Sequence, residues 1–472
     1  MPAPMDSHGR DMTTGPMTRH LMAVAWPVSV SFLVQTLYNL VDAFWLGKLG
    51  KTALVAPTIT MNIVFVGIAL AMGLGQAGTT LVSQYKGAGR PGRMAAAAGQ
   101  SMVLQMVAGS LFAVVGLVFA GPLLRLLQTP PDAFADSLVY MRWILVGVPL
   151  MFLFHTYQSI LFGLGDTVGP MRVNLISVAV NVVLDPILIF GWGPVPAMGV
   201  AGAAAATVIA RGLASLLALR ELLAGDGFRI RARDLRWDGA LLLRLLRIGL
   251  PLSVGSTATS LGFTLLIGIV NGFGSSVTAA FGVGHRVILM VSVPAMALGQ
   301  ANATAVGQNL GAGKPDRASL SVRRSAFLIT AFLLPLTTLT YFFGSHVTHW
   351  FVADPEVVAY GADLFRITSF SVFAFSLILV LFGAFQGSGR TVPVMVVNTG
   401  RLWAVRIPVT LLLTQVWHWG PNGLWWAMNL SNLIAGTAAF AWFLRGDWKS
   451  AVIEQDDAEA GGEGGAALGD AV

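Results

Sequence analysis

The sequence predicts an all-α integral membrane protein of about twelve transmembrane helices, arranged as two parallel-related six-helix lobes. Three observations carry that prediction. Of 472 residues, 55% are hydrophobic and 11% are charged, where a soluble domain needs roughly 25% charge to coat its surface. Apolar runs recur along the chain, each reaching the ~20 residues a helix needs to cross the hydrocarbon. The chain also repeats itself at an offset of 224 positions, the interval from Gln84 to Gln308.

The first six runs are Leu21–Leu46, Ala53–Ser83, Met94–Gly121, Tyr140–Phe162, Met171–Trp192 and Met198–Leu223. The second six are Leu246–Phe273, Val277–Ala305, Ala326–Phe343, Leu364–Phe385, Val392–Val416 and Gly423–Leu444. None shows the dyad alternation of barrel strands, so helices are the expected spanning form.

The repeat aligns Gln84 to Arg93 with Gln308 to Arg317, and Leu74-Gly75-Gln76-Ala77 with Leu298-Gly299-Gln300-Ala301. It also places Pro27, Ser29, Gly163, Gly165, Thr167, Met171 and Asn174 on Pro251, Ser253, Gly387, Gly389, Thr391, Met395 and Asn398. Matches in four blocks at one register exceed what small-residue coincidence supplies. An even helix count per lobe gives both lobes the same orientation, related by an axis along the membrane normal. The expected organisation is an N-terminal segment over 1–20, a first lobe over 21–224 and a basic linker over 225–243. A second lobe over 244–445 and a disordered acidic, Gly/Ala-rich tail over 446–472 complete it. No signal peptide is expected ahead of the first run.

Lys and Arg number 29 against 22 Asp and Glu. They gather in alternate loops: Lys86, Arg90 and Arg93; Arg229 to Arg247; Lys314 to Arg324; Arg390; Arg445 and Lys449. That asymmetry reads as positive-inside topology with both termini cytoplasmic in the plasma membrane, and not as a nucleic-acid surface. No cysteine is present, which excludes disulfides and thiolate metal sites. No nucleophile, P-loop or metalloprotease motif appears, so no enzyme and no cofactor are expected. Gly73-Leu74-Gly75-Gln76-Ala77-Gly78 matches a dinucleotide fingerprint by letters but sits inside an apolar helix, where it reads as close helix packing. His346 and His349 read as solvated loop residues beside Asp354 and Glu356, and the sequon at Asn302 as non-functional.

Most acids fall in loops, near helix ends or in the tail. Asp42 and Asp185 lie deep within runs, where an ionisable group defaults to a functional assignment. Gln35, Tyr38, Asn39 and Asp42 share one face of the first helix by i, i+3, i+4, i+7 spacing. Asn174, Asn181 and Asp185 share a face of the fifth, and Thr207 of the sixth could join them. Two carboxylates in one low-dielectric pocket repel when both are charged, so taking up a proton relieves them. The same oxygens of Asp42, Asn181, Asp185 and Thr207 could hold a sodium ion instead. The plainer alternative has the acids capping broken helices or pairing with Arg211. His155 and Gln158 on the fourth helix could line a substrate cavity, and Pro27 could let the first helix bend. The offset takes Asp42 to Leu266 and Asp185 to Val409, so coupling chemistry is expected in the first lobe alone. The second lobe carries Arg401 and Arg406 instead, read as snorkelling or bonded to backbone carbonyls.

The run from Trp26-Pro27 through Gln35, Tyr38 and Asp42 to Leu46-Gly47-Lys48-Leu49-Gly50 resembles the multidrug and toxic compound extrusion (MATE) family. So do Gln84–Gly89, Gly163–Thr167, Asn181–Pro186, Gly199–Ala204, Gln308–Gly313 and Gln386–Arg390, in order across about residues 20–445. The resemblance implies two six-helix lobes around a V-shaped cleft. It implies export of drugs or toxic organic cations in exchange for protons or sodium ions, the coupling ion being the only cofactor-like partner. It is nearest the DinF-type branch, whose first-lobe acids match Asp42 and Asp185 and whose polar cluster matches Gln35, Tyr38, Asn181 and Thr207. The NorM-type branch carries an acid on its seventh helix, where Leu246–Phe273 has none. His155 stands where that resemblance leads one to expect an amide. A lipid or lipid-linked oligosaccharide flippase is the alternative reading, and a channel or receptor the reading from another class. Small molecules and surrounding membrane lipid are the expected partners, and a monomer the expected state.

Overall fold

The computed structural model describes residues 9–50, 53–224 and 228–453. Twelve helical spans follow one another: α1 (Met17–Leu49), α2 (Val55–Gly87), α3 (Pro91–Leu126), α4 (Pro131–Leu164), α5 (Val168–Phe190) and α6 (Val200–Ala224), then α7 (Gly239–Asn271), α8 (Ser275–Gly311), α9 (Pro315–Phe351), α10 (Pro355–Ser388), α11 and α12 (Pro421–Leu444). Among the described residues eleven are helices long and apolar enough to span a bilayer, one of which, α9, is kinked at Phe343. The remaining one, α11, runs over residues 392–416 as α-helical Val392–Thr399, π-helical Gly400–Arg406, α-helical Ile407–Leu411 and π-helical Leu412–Val416. Pro408 supplies no N–H to the ladder there, which is one cause of such register changes.

The repeat is visible in the element ends. Pro91 and Pro131 open α3 and α4, and Pro315 and Pro355 open α9 and α10. Proline loses nothing at a first helical position, where its missing N–H would have no partner. Gly165 and Gly389 close α4 and α10 in the left-handed conformation, with φ of 77° and 84°. Such an end is open to glycine because it has no Cβ to clash.

The chain forms two compact units. The first contains Pro27–Val82 and Arg90–Ser253. The second contains Asp11–Trp26, Ser83–Gly89 and the chain from Val254 onward. In the first unit, Phe152, Leu145 and Met141 of α4 pack with Ala113 and Ala120 of α3 and Ala71 of α2. Glycines allow the tight approaches. A Cβ at Gly202 of α6 would lie 2.3 Å from the Leu188 carbonyl oxygen of α5, and one at Gly73 would lie 2.2 Å from Ser253 Oγ. The glycine-rich stretch of α2 is therefore a packing surface. In the second unit, Trp425, Phe281, Leu364, Phe365 and Leu266 form the core. The outward stripe of α3, Val107, Leu111, Val114 and Val118, is more than half exposed. It suits a lipid solvent, which satisfies no backbone group but wets apolar side chains.

Three segments differ from expectation. His346 and His349 sit in the last turns of α9, not in a loop. Among the described residues no group of three or more His, Asp or Glu could hold a metal ion. Of the expected linker, residues 225–227 lie outside the described residues, and 239–243 already belong to α7. The part between folds against α3: Gln100 Nε2 donates to the carbonyls of Asp234 (3.2 Å) and Arg236 (2.6 Å), while the Asp238 N–H donates to Gln100 Oε1. The tail begins ordered, with Trp448 buried and stacked on Phe443 at 4.7 Å. Residues 454–472 lie outside the described residues. Asn302 is a buried core amide, donating to Val380 O (2.9 Å) and accepting from Ser321 Oγ (2.9 Å).

Candidate functional site

The polar residues of the first unit converge on helices α1, α4, α5 and α6. The α1 stripe meets α6 through Tyr38, whose hydroxyl shares a hydrogen bond of 2.9 Å with Thr207 Oγ1. Arg211, one turn further along α6, donates to Gln35 Oε1 on α1 (2.6 Å) and to Asn174 Oδ1 on α5 (3.2 Å). Its guanidinium also lies over the Tyr38 ring at 5.3 Å. Gln35 in turn donates to Asn39 Oδ1 (3.3 Å), and Asn39 is exposed. His155 and Gln158, half-buried on α4, hydrogen bond to each other within electrostatic range of Arg211.

On α5, Asn181 and Asp185 are one turn apart and fully buried. Asn181 Nδ2 donates to Asp185 Oδ1 at 3.1 Å. Asp42 is half-buried on α1. Asp42, Asp185, Tyr38 and Tyr140 are all within electrostatic range of one another. Tyr140 of α4 did not stand out in the sequence, because one tyrosine near the end of an apolar run carries no signal. Neither aspartate makes an ion pair with Arg211 among the described residues.

Three oxygens are left over. Asp42 Oδ1, Asn181 Oδ1 and Asp185 Oδ2 are buried and have no hydrogen-bond partner among the described residues. A buried acceptor without a donor costs about 1–3 kcal/mol, a cost that a proton or cation reaching these oxygens would relieve. A proton converts a carboxylate into a donor, and hard oxygens of this kind also suit an alkali cation. The oxygens of Asp42, Asn181 and Asp185 therefore fit either coupling ion. Thr207 Oγ1 is already engaged by Tyr38.

The second unit has no counterpart acids on α7 or α11. Arg401 donates to Asn432 Oδ1 (3.0 Å) and Asn398 Oδ1 (3.3 Å) and lies 4.2 Å over the Phe375 ring. Arg406 is buried, donating to Ser431 Oγ (2.8 Å) and Asn432 Oδ1 (2.7 Å). Among the described residues these arginines bond to side-chain amides and a hydroxyl, in place of the snorkelling or backbone-carbonyl contacts expected.

A duplicated helical bundle whose first half buries two carboxylates beside unfilled acceptors is the make-up of a secondary membrane transporter. The MatE family model matches residues 27–187 and 251–412, and so finds both halves. "Probable multidrug resistance protein YoeA" of Bacillus subtilis is 30% identical over 88% of this chain and 92% of its own length. The FAD transporter of Shewanella oneidensis is 26% identical over 92% of this chain and 96% of its own. The solved structure of the Vibrio cholerae MATE transporter VcmN superposes with a TM-score of 0.85 at 24% identity, over 92% of this chain and 98% of that one. The chain belongs to the MATE family of membrane transporters. It is a transporter and not an enzyme.

Proposed function

We propose that the protein is a secondary active multidrug efflux antiporter, exporting cationic or amphipathic compounds in exchange for protons. The observation that carries the reading is the set of three buried, unfilled oxygens on Asp42, Asn181 and Asp185. With both carboxylates charged, the pocket attracts an organic cation. A proton taken up on either acid removes that attraction and supplies a donor for a neighbouring acceptor such as Asn181 Oδ1. Proton and substrate thus favour different states of one pocket, which makes the exchange obligatory. Movement is transmitted through α1, tied to α6 by the Tyr38–Thr207 bond and by Arg211. Pro27 gives α1 a weak point for bending, since its missing N–H leaves one ladder bond unmade. In this structure α1 is continuous through it. The basic loops support cytoplasmic termini in the plasma membrane, and the printed name of the Bacillus subtilis relative supports the drug substrates.

The test is ethidium uptake into everted vesicles, where the cytoplasmic face is outside and export fills the lumen, under an imposed pH gradient and, separately, a sodium gradient. Asp42→Asn and Asp185→Asn keep the shape of each side chain and remove its charge. Each is expected to lower gradient-driven export by the usual size of a coupling, roughly 5–150-fold, at wild-type expression. The gradient that drives the wild type names the ion. Wild-type export by both variants would make the acids structural and overturn the reading.

A further inference from the structure

The second unit holds two guanidinium groups, Arg406 buried and Arg401 half-buried, with no acid paired to them among the described residues. Arg401 and Arg406 bracket the middle of α11 and lie on its first π-helical segment, Gly400–Arg406. A π segment inside a spanning helix frequently marks a functional position. Among the described residues every hydrogen-bond partner of the two arginines is neutral: Asn398, Asn432 and Ser431. Arg401 Nε is buried with no acceptor. His285 of α8 lies within electrostatic range of Arg406, tilted against Phe263 at 4.7 Å and stacked on Phe281 at 6.0 Å. Cations at membrane depth ordinarily pair with acids or with backbone carbonyls, and these do neither.

The repeat shows what has changed. In the first unit Asn174 accepts from Arg211; in the second Asn398, its equivalent, accepts from Arg401. Gly199 and Gly420, both with positive φ, precede the last helix of each unit and are 221 residues apart. At that interval Arg211 corresponds to Asn432, the amide that both second-unit arginines share. The same pocket is thus built twice, once with two carboxylates and one guanidinium, once with two guanidiniums and no carboxylate.

We propose that the second unit carries an anion-binding subsite, in which Arg401 and Arg406 hold the phosphate or carboxylate group of an aromatic or amphipathic ligand. The guanidinium fork matches a carboxylate or phosphate in two parallel bonds. Asn432 and Ser431 hold the forks in place, and the half-buried rings of Phe375 and Phe263 are the apolar partners for the rest of the ligand. The subsite is independent of the first-unit acids. It extends the substrate range to compounds bearing negative charge, free or as a lipid headgroup.

The test is calorimetric titration of the full chain in phosphatidylcholine nanodiscs with phenyl phosphate and, as its charge-reversed partner, phenyltrimethylammonium. The expected result is saturable phenyl phosphate binding, at least about tenfold weaker in Arg401→Gln and kept within a few-fold in Arg401→Lys, with ethidium binding equal in all three. Equal affinity of the wild type for the two phenyl probes would overturn the proposal. So would unchanged phenyl phosphate binding in a folded Arg401→Gln. Should that variant fail to fold, competition in the wild type decides. Displacement of phenyl phosphate by benzoate but not by phenyltrimethylammonium supports the subsite, and equal displacement by both overturns it. Repeating the titration in phosphatidylglycerol nanodiscs identifies the source of the anion. Weaker phenyl phosphate binding there means that the lipid headgroup occupies the subsite, and unchanged binding means that a free solute does.

Discussion

Arg211 is the residue on which the first-unit pocket depends. It reaches α1 through Gln35 and α5 through Asn174, and it covers the Tyr38 ring. It neutralises neither aspartate, and so leaves both carboxylates available to a proton or a cation. Replacing it with methionine keeps much of the apolar stem and strips Gln35 Oε1 and Asn174 Oδ1 of their shared donor. Each acceptor left buried costs about 1–3 kcal/mol. Arg211→Met is therefore expected to melt clearly below the wild type in a detergent thermal scan and to lose dye export. Arg211→Lys keeps the charge but not the fork that serves two acceptors at once, and is expected to fall between. A melting curve for Arg211→Met that superposes on the wild type would show that Gln35 and Asn174 do not need this donor.

Between helices, glycine sets how closely residues 83–89 and the end of α8 approach within the second unit. A Cβ at Gly311, the end of α8, would lie 1.9 Å from the Gln84 carbonyl oxygen, and one at Gly87, the end of α2, 1.9 Å from the Gln308 carbonyl oxygen. Both blocking atoms are backbone and cannot rotate aside. Gly92 at the start of α3 has nothing within 4 Å of such a Cβ. Gly311→Ala is expected to destabilise the protein by about 1–3 kcal/mol, the ordinary cost of overpacking. Gly92→Ala is expected to be neutral or slightly stabilising, because alanine restricts the unfolded chain. Thermal unfolding of the two purified variants side by side checks the contrast, and equal melting points would refute it. The close packing at Gly73–Gly78 was legible in the sequence, because small residues inside an apolar run let helices approach. The register changes of α11 were not, since Pro408 alone does not say whether a helix will kink or widen. Nor was the docking of 228–238 on α3, which depends on Gln100, an amide with no distinguishing neighbours in sequence.

For the molecule as a whole, apolar runs and the 224-residue offset sufficed for the number of spans and the doubling, because both are one-dimensional properties. The acids were legible because Asp42 and Asp185 stand alone in apolar surroundings. Their neighbours were not, because helical periodicity says which residues share a face but not which helices face each other. The two chain ends show the same limit. Gln308 Oε1 accepts from the Met12 N–H (2.9 Å), Asn309 Nδ2 donates to Met12 O (3.2 Å), and Met12 is fully buried. Arg317 Nη2 donates to the carbonyls of Thr14 and Gly15, both at 2.6 Å. Burial pushes the Asp11 carboxyl up, but bonds from Thr13 and Thr14 and nearby Lys86 outweigh it and hold the group below its ordinary value of 3.8. Its contribution is present at neutral pH and is lost as pH falls below that value. Gln84, the repeat partner of Gln308, treats the other end alike. Its Oε1 accepts from the N–H groups of Val452 (3.0 Å) and Ile453 (3.4 Å), while its Nε2 donates to Gly387 O (2.9 Å). One glutamine of each repeat thus fastens one terminal stretch of the described residues within the second unit. Hydrogen exchange measures this directly, since local opening follows the local free energy. Loss of a buried hydrogen bond worth about 1 kcal/mol gives roughly fivefold faster exchange. Gln308→Ala is expected to speed exchange at 11–15 and spare 448–453, and Gln84→Ala to do the reverse. If either substitution loosened both ends equally, the two would open as one cooperative element and the glutamines would not be separate fasteners.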